Sequence, residues 1–198
     1  IDLDTGLGNV DLKVDGTVGD LATPSGIDLK AVASSDDVAQ ILERFAVELP
    51  LRGTLRVDTA MTSVEAGTRF AVDAKAGEIA TTATATHTDG AVRFEVAVPA
   101  LDKTGKALEI EGLPAEDLAV EGLVLIEPRA YRLQGVTARL GEAEVNFDGT
   151  VGQGTDAATE LSIRAVGPSL ASLSAGLPAI PFKAALNASL APEQLVLD

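Results

Sequence analysis

The chain has 198 residues, 30 of them acidic against 15 basic, for a net charge of −15. That balance argues against a nucleic-acid binder, which would hold phosphates with Lys and Arg. The absence of cysteine excludes a disulfide framework or thiolate metal site, and no apolar run reaches the roughly 18 residues that span a bilayer. Five Phe, one Tyr and no Trp leave Ala, Val and Leu to supply most of the apolar content, so anchors for a thick core are few.

Alternation of apolar and polar residues begins at once. Val10, Leu12 and Val14 oppose Asp11, Lys13 and Asp15. Asp4-Thr5-Gly6 reads as the turn before them. Ser34-Ser35-Asp36-Asp37 offers N-cap side chains and early acids, and Val38, Ile41, Leu42 and Phe45 then follow at helical spacing. A helix is expected over 36–46, with Pro50 at its exit. Leu55 and Val57 open the next strand. From about Glu65 to Ala130 the sequence reads as strands alone. Phe70, Val72, Ala74 and Ala76 oppose Arg69, Asp73 and Lys75, and Phe94, Val96 and Val98 oppose Arg93 and Glu95. Glu65-Ala66-Gly67, Thr88-Asp89-Gly90, Lys103-Thr104-Gly105 and Gly152-Gln153-Gly154 read as turns. Val145 and Phe147 oppose Glu144, Asn146 and Asp148, and Leu161 and Ile163 oppose Glu160, Ser162 and Arg164. A second helix is expected over 168–175, with Pro168 near its start, a Leu170/Leu173 stripe and Gly176 past its end. Phe182, Ala184 and Leu186 then oppose Lys183 and Asn187. Period two with one wet face marks antiparallel sheet, here about a dozen strands.

The chain also repeats itself. Val14-Asp15-Gly16-Thr17-Val18-Gly19 returns as Phe147-Asp148-Gly149-Thr150-Val151-Gly152. Ile27-Asp28-Leu29-Lys30-Ala31-Val32 returns as Leu161-Ser162-Ile163-Arg164-Ala165-Val166, and Leu49-Pro50-Leu51 as Ile180-Pro181-Phe182. The offsets are 131 to 134 residues. Residues 1–66 read as a first copy, 67–130 as intervening antiparallel strands and 131–198 as a second copy, in one continuous array. Beginning at Ile1 and ending in the strand-like Leu195-Val196-Leu197, the chain reads as an internal fragment of a longer protein.

A sheet with one apolar face must cover it. Two short helices shield only part of a dozen strands, so the sheet folds on itself as a sandwich, closes as a barrel or stays open as a curved groove that needs an apolar ligand. The additive repeat favours the groove.

Ala165-Val166-Gly167-Pro168-Ser169-Leu170, followed by Leu177-Pro178-Ala179-Ile180-Pro181-Phe182, resembles the signature of the AsmA family. So does the preceding stretch Leu133 to Gly152. Residues 8–57 follow the pattern more loosely, with Ser35-Asp36-Asp37-Val38 in place of Gly-Pro-Ser-Leu. The resemblance implies a β-rich groove in the bacterial periplasm, anchored to the inner membrane by a segment outside this chain. It implies a part in moving phospholipid between inner and outer membranes or in outer-membrane assembly, with no catalytic residue and no cofactor.

The expected lipid-binding face is formed by Val10, Leu12, Val14, Leu55, Val57, Phe70, Val72, Phe94, Val96, Val145, Phe147, Leu161, Ile163, Phe182 and Leu186. Its expected partners are phospholipid acyl chains, with other envelope proteins at the array ends. The alternative is a structural scaffold or assembly factor acting through exposed strand edges. Other motifs carry less. His87 is the single histidine and reads as a half-exposed strand residue. Glu142 and Glu144 read as a solvated face. Gly149 to Gly154 lacks the Lys-Ser/Thr of a phosphate loop. Asp2, Asp4, Asn9 and Asp11, with Gly6 and Gly8, lack the nine-residue recurrence of a calcium solenoid, so no metal is expected.

Overall fold

The computed structural model describes residues 1–19, 25–44, 46–47, 49–65, 67–153, 158–174, 176–191 and 194–197. Among the described residues, thirteen strands follow one another in chain order through a single sheet. They are β1 (Asp2–Leu7), β2 (Val10–Val18), β3 (Ile27–Ser35), β4 (Leu55–Val64), β5 (Gly67–Ala76), β6 (Ile79–Thr88) and β7 (Ala91–Val98). After them come β8 (Leu118–Glu127), β9 (Ala130–Leu140), β10 (Ala143–Gly152), β11 (Thr159–Gly167), β12 (Phe182–Ala191) and β13 (Gln194–Leu197). Every strand pairs antiparallel with its neighbour in sequence. The sheet is a curved, open meander that does not close into a barrel.

The sandwich alternative fails on burial. Among the described residues only Val38, Val136 and Ala143 are buried hydrophobics, and none of the larger side chains is fully enclosed. A folded monomer of 20.2 kDa is expected to expose about 8,800 Å². This chain exposes 12633 Å². The excess is what a single layer with no second sheet against it would show.

Among the described residues two helices interrupt the meander, α1 (Val38–Arg44) and α2 (Leu101–Ala107), and one 3₁₀ turn spans Leu170–Ser172. The helix expected over 36–46 is α1, shorter at both ends. Val38 is buried and Ile41 and Leu42 half-buried, while Phe45 lies outside the described residues. The helix expected over 168–175 is instead that 3₁₀ turn, with Leu170 and Leu173 half-buried. The stretch read as strands alone contains α2, and Lys103-Thr104-Gly105, read as a turn, lies inside it. Gly105 is buried there because the chain returns across it. A Cβ would come within 2.8 Å of the Ile110 carbonyl and 2.9 Å of Leu113. Asp4-Thr5-Gly6 belongs to β1, and the turn is Gly8-Asn9. Of the remaining expected turns, Asp89-Gly90 is one, while Ala66 and Gly154 lie outside the described residues.

These insertions set the true period. They follow β3, β7 and β11, so four strands separate one from the next. Leu49-Pro50, Leu113-Pro114 and Leu177-Pro178 stand 64 residues apart in the three return segments. In each insertion the first helical amide donates to the carbonyl two residues before the next strand: Val38 to Gly53, Leu101 to Glu116 and Leu170 to Ile180, all at 2.9 Å. Offsets of 131 to 134 therefore span two units, and a third copy lies between.

Because consecutive strands are antiparallel, all three insertions fall on one long edge of the sheet, the helical rim. Tight turns at Gly8-Asn9, Gly77-Glu78 and Gly141-Glu142 alternate with them there. Asn9 ties one such turn to the helix beside it. Its Nδ2 donates to Ser35 Oγ at 3.1 Å and to the Asp37 carbonyl at 3.2 Å. The other long edge, the hairpin rim, carries the remaining connections.

Candidate functional site

Directly opposed residues of an antiparallel pair project to the same side, so the registers carry one face across the molecule. Leu12 of β2 faces Ala33 of β3, which faces Val57 of β4, which faces Ala74 of β5. Val72 faces Ala83, which faces Val96, which faces Val120 of β8, then Ala138 of β9 and Val145 of β10. Phe147 faces Ile163, and Ile163 faces Leu186.

Followed in this way, all fifteen residues expected on one face lie on one face. Val10, Leu12 and Val14 of β2 join Leu55 and Val57 of β4, Phe70 and Val72 of β5, and Phe94 and Val96 of β7. Val145 and Phe147 of β10, Leu161 and Ile163 of β11, and Phe182 and Leu186 of β12 complete the set. The register adds members that alternation within single strands left unassigned, among them Val120, Val124 and Ile126 of β8 and Tyr131 and Leu133 of β9.

The stronger finding concerns what is missing. Among the described residues of β1 to β12, no Asp, Glu, Lys or Arg occupies this face. Its one titratable imidazole is His87, at the hairpin rim. Every ionised strand side chain is on the other face, where the strand ion pairs also sit. Arg56 meets Asp58 at 2.7 Å, Arg132 meets Glu127 at 2.7 Å and Arg139 meets Glu121 at 2.6 Å. Each carboxylate raises the pKa of its guanidinium, first by hydrogen bonding and then by its charge. Such exposed pairs add little stability. Their weight is in keeping the outer face wet.

The apolar face is about 55 Å along the array, from a strand spacing of about 4.8 Å, and about 30 Å across, from strands of nine or ten residues. Most of its side chains are half-buried although no layer covers them. Exposure is uneven across its width. Ser35, Ala143 and Gly167, at the helical rim, are buried. At the hairpin rim Ile126, Tyr131 and Leu190 are 45%, 42% and 50% exposed, whereas Thr68 is buried.

Among the described residues no three His, Asp or Glu side chains stand close enough to share a metal ion, and His87 is exposed on β6. A depression of about 390 Å³ is lined by Asp148, Glu160, Ser162, Asn187 and Ser189 of the outer face together with Gly149, Leu161 and Ala188, and its surface is mainly apolar. No helix among the described residues is long and apolar enough to cross a membrane.

No known protein family matches the chain, and neither a curated protein nor a solved structure matches it.

Proposed function

We propose that this chain is a stretch of a non-enzymatic groove that carries phospholipid by its acyl chains, as in the AsmA-like proteins of the bacterial envelope that its Gly-Pro-Ser-Leu and Leu-Pro segments resemble. The observation that carries the reading is the ion-free face of β1 to β12, left without a covering layer. Exposed apolar patches beyond a few hundred Å² mark binding surfaces. At about 25 cal/mol per Å², leaving such a face wet costs several kcal/mol, which apolar cargo would offset. Val, Ala and Leu form a floor with no charged obstacle, so an acyl chain can exchange one set of contacts for the next at little net cost. The working site is the periplasm, between the two membranes, with the anchor in another part of the protein.

The test is organic extraction of the purified, folded chain followed by mass spectrometry of the extract, with native mass spectrometry in parallel. Co-purifying phospholipid near or above one mole per mole of protein is expected. A lipid-free chain that also takes up none from phosphatidylcholine vesicles would contradict the reading and favour a structural scaffold.

A further inference from the structure

We infer that the helical rim is a second recognition surface, and that it takes a basic amphipathic helix of a partner protein along the return segments of successive units. The inference concerns side chains outside the apolar face and stands apart from the lipid reading. Three observations carry it.

The first is what the insertions leave uncovered. Val47 and Leu49 after α1, Ile110 after α2, and Leu177 and Ile180 after the 3₁₀ turn are 41% to 52% exposed. The same segment of each unit thus shows large apolar side chains to solvent. The helix caps account for part of this. α1 and α2 are both followed by a residue of positive φ, Ala46 at 53° and Glu109 at 58°. The next amide reaches back to a carbonyl five residues earlier, Val47 to Leu42 at 3.0 Å and Ile110 to Gly105 at 2.8 Å. In such a cap the apolar residue past the helix packs on the residue that supplies this carbonyl. In α2 that residue is Gly105, which has no side chain to offer, and Leu113 lies over it instead. Ile110 is left without its usual partner.

The second is shape. A depression of about 460 Å³ lies between α2 and its return, lined by Asp102, Lys106, Glu109, Ile110, Glu111 and Leu113, with Gly112. Its counterpart beside α1, about 350 Å³, is lined by Leu42, Glu43, Ala46, Val47 and Leu49, with Ala39. The two stand one unit apart, four strands or about 19 Å. The second and third insertions touch, since a Cβ on Gly112 would come within 3.3 Å of Ser174 Oγ. Ile110 and Leu177 lie two and three residues from that contact. The rim is made of strand ends and helices, so it offers no open ladder to an added strand. The mode that remains is a helix laid into a groove, and a helix of about 14 residues spans the distance between the two depressions.

The third is charge. From Leu108 to Asp117 the chain carries four carboxylates and no Lys or Arg. Glu109 and Glu111 flank Ile110, and neither enters an ion pair among the described residues. Lys106, the basic residue of the same depression, is held by Asp102 at 2.8 Å. Between Gly167 and Pro181 no residue is charged. An apolar strip with acidic borders complements an apolar stripe bordered by Lys or Arg. It opposes an anionic membrane surface and a second acidic rim alike.

The test uses the whole chain and a synthetic helix of about 14 residues, with Leu at i, i+3, i+4 and i+7 spacing and Lys elsewhere. A twin peptide carries Glu for every Lys. Fluorescence anisotropy of the labelled peptides reads binding. The Lys peptide is expected to bind with a micromolar Kd and the Glu peptide not to bind. I110S/L177S and E109K/E111K alter rim residues alone, and each should weaken binding about tenfold. The apolar face is the competing site, so a nitroxide on the peptide locates it. The amide signals of Glu109 to Gly112 should broaden and those of Phe94 and Ile163 should not. The inference is overturned by no binding of the Lys peptide, by equal binding of the Glu peptide, by affinity unchanged in I110S/L177S, or by broadening centred on Phe94 and Ile163. Self-association by sedimentation that I110S/L177S abolishes would assign the rim to a second copy and overturn it. Binding to phosphatidylglycerol vesicles that the same variant abolishes would assign it to a membrane and overturn it too.

Discussion

Gly16 and Gly149 explain the sequence match that repeats most faithfully. Their φ angles are 140° and 145°. A Cβ on either would collide with a carbonyl of the next strand, that of Asp28 beside Gly16 and of Glu160 beside Gly149. The preceding Asp148 carboxylate accepts a hydrogen bond from the Gly135 amide at 2.8 Å, where β9 carries an extra residue and the register shifts. Asp-Gly is thus a device for bending a strand, which a curved sheet needs at intervals. Gly149→Ala and Gly16→Ala should each cost about 1–3 kcal/mol, read from urea unfolding. A change within error would contradict the steric account. Ionisation at this scale is confined to the surface. Lys106 donates to Asp102 at 2.8 Å and lowers its pKa, chiefly through that hydrogen bond. A lowered carboxyl pKa contributes stability above the ordinary carboxylate range and loses it as pH falls through the lowered value. The raised pKa of Lys106 is the other side of the same pair, lost as pH rises past it. Lys106→Ala should move the Asp102 titration upward by NMR. An unmoved titration would mean that the pair does not form in solution.

Among the elements, the strands are legible in the sequence, and of the helices only α1 is. Alternation depends on the two residues flanking each position, and one wet face makes it visible without knowledge of partners. The fifteen apolar positions could therefore be placed on one face before their registers were known. α2 was hidden because its sequence, Leu-Asp-Lys-Thr-Gly-Lys-Ala, carries a glycine that reads as a breaker. The packing partner that makes glycine useful, the Ile110 to Leu113 return, is a tertiary fact. The 3₁₀ turn was overestimated as a helix because Leu170 and Leu173 satisfy a stripe over less than a full turn more than they fill. Missing α2 also hid the 64-residue period, although Leu-Pro at 49, 113 and 177 records it plainly. The bond from each first helical amide to the return segment should make the amides of Val38, Leu101 and Leu170 exchange slowly with solvent. Fast exchange at all three would show that the insertions are not docked as units.

At the scale of the whole molecule, stability and capacity should both be additive. Residues 67–130 contain β5 to β8 and α2, one full unit. Deleting them joins β4 to β9, the counterpart of β5, and should leave a folded chain by circular dichroism with bound lipid lowered by about a third. Loss of folding would contradict the period.

The central claim is that acyl chains lie on the ion-free face. It is tested most directly by bound lipid per mole of folded protein in three variants. Val96→Glu and Ile163→Lys place a charge on that face, and Glu95→Lys changes a charge on the other, one residue away. An unpaired charge removed from water costs several kcal/mol, and an acyl chain cannot offset it. Circular dichroism first establishes that each variant folds. The account predicts lipid lost from Val96→Glu and Ile163→Lys and retained by Glu95→Lys. Equal lipid content in all three would contradict it.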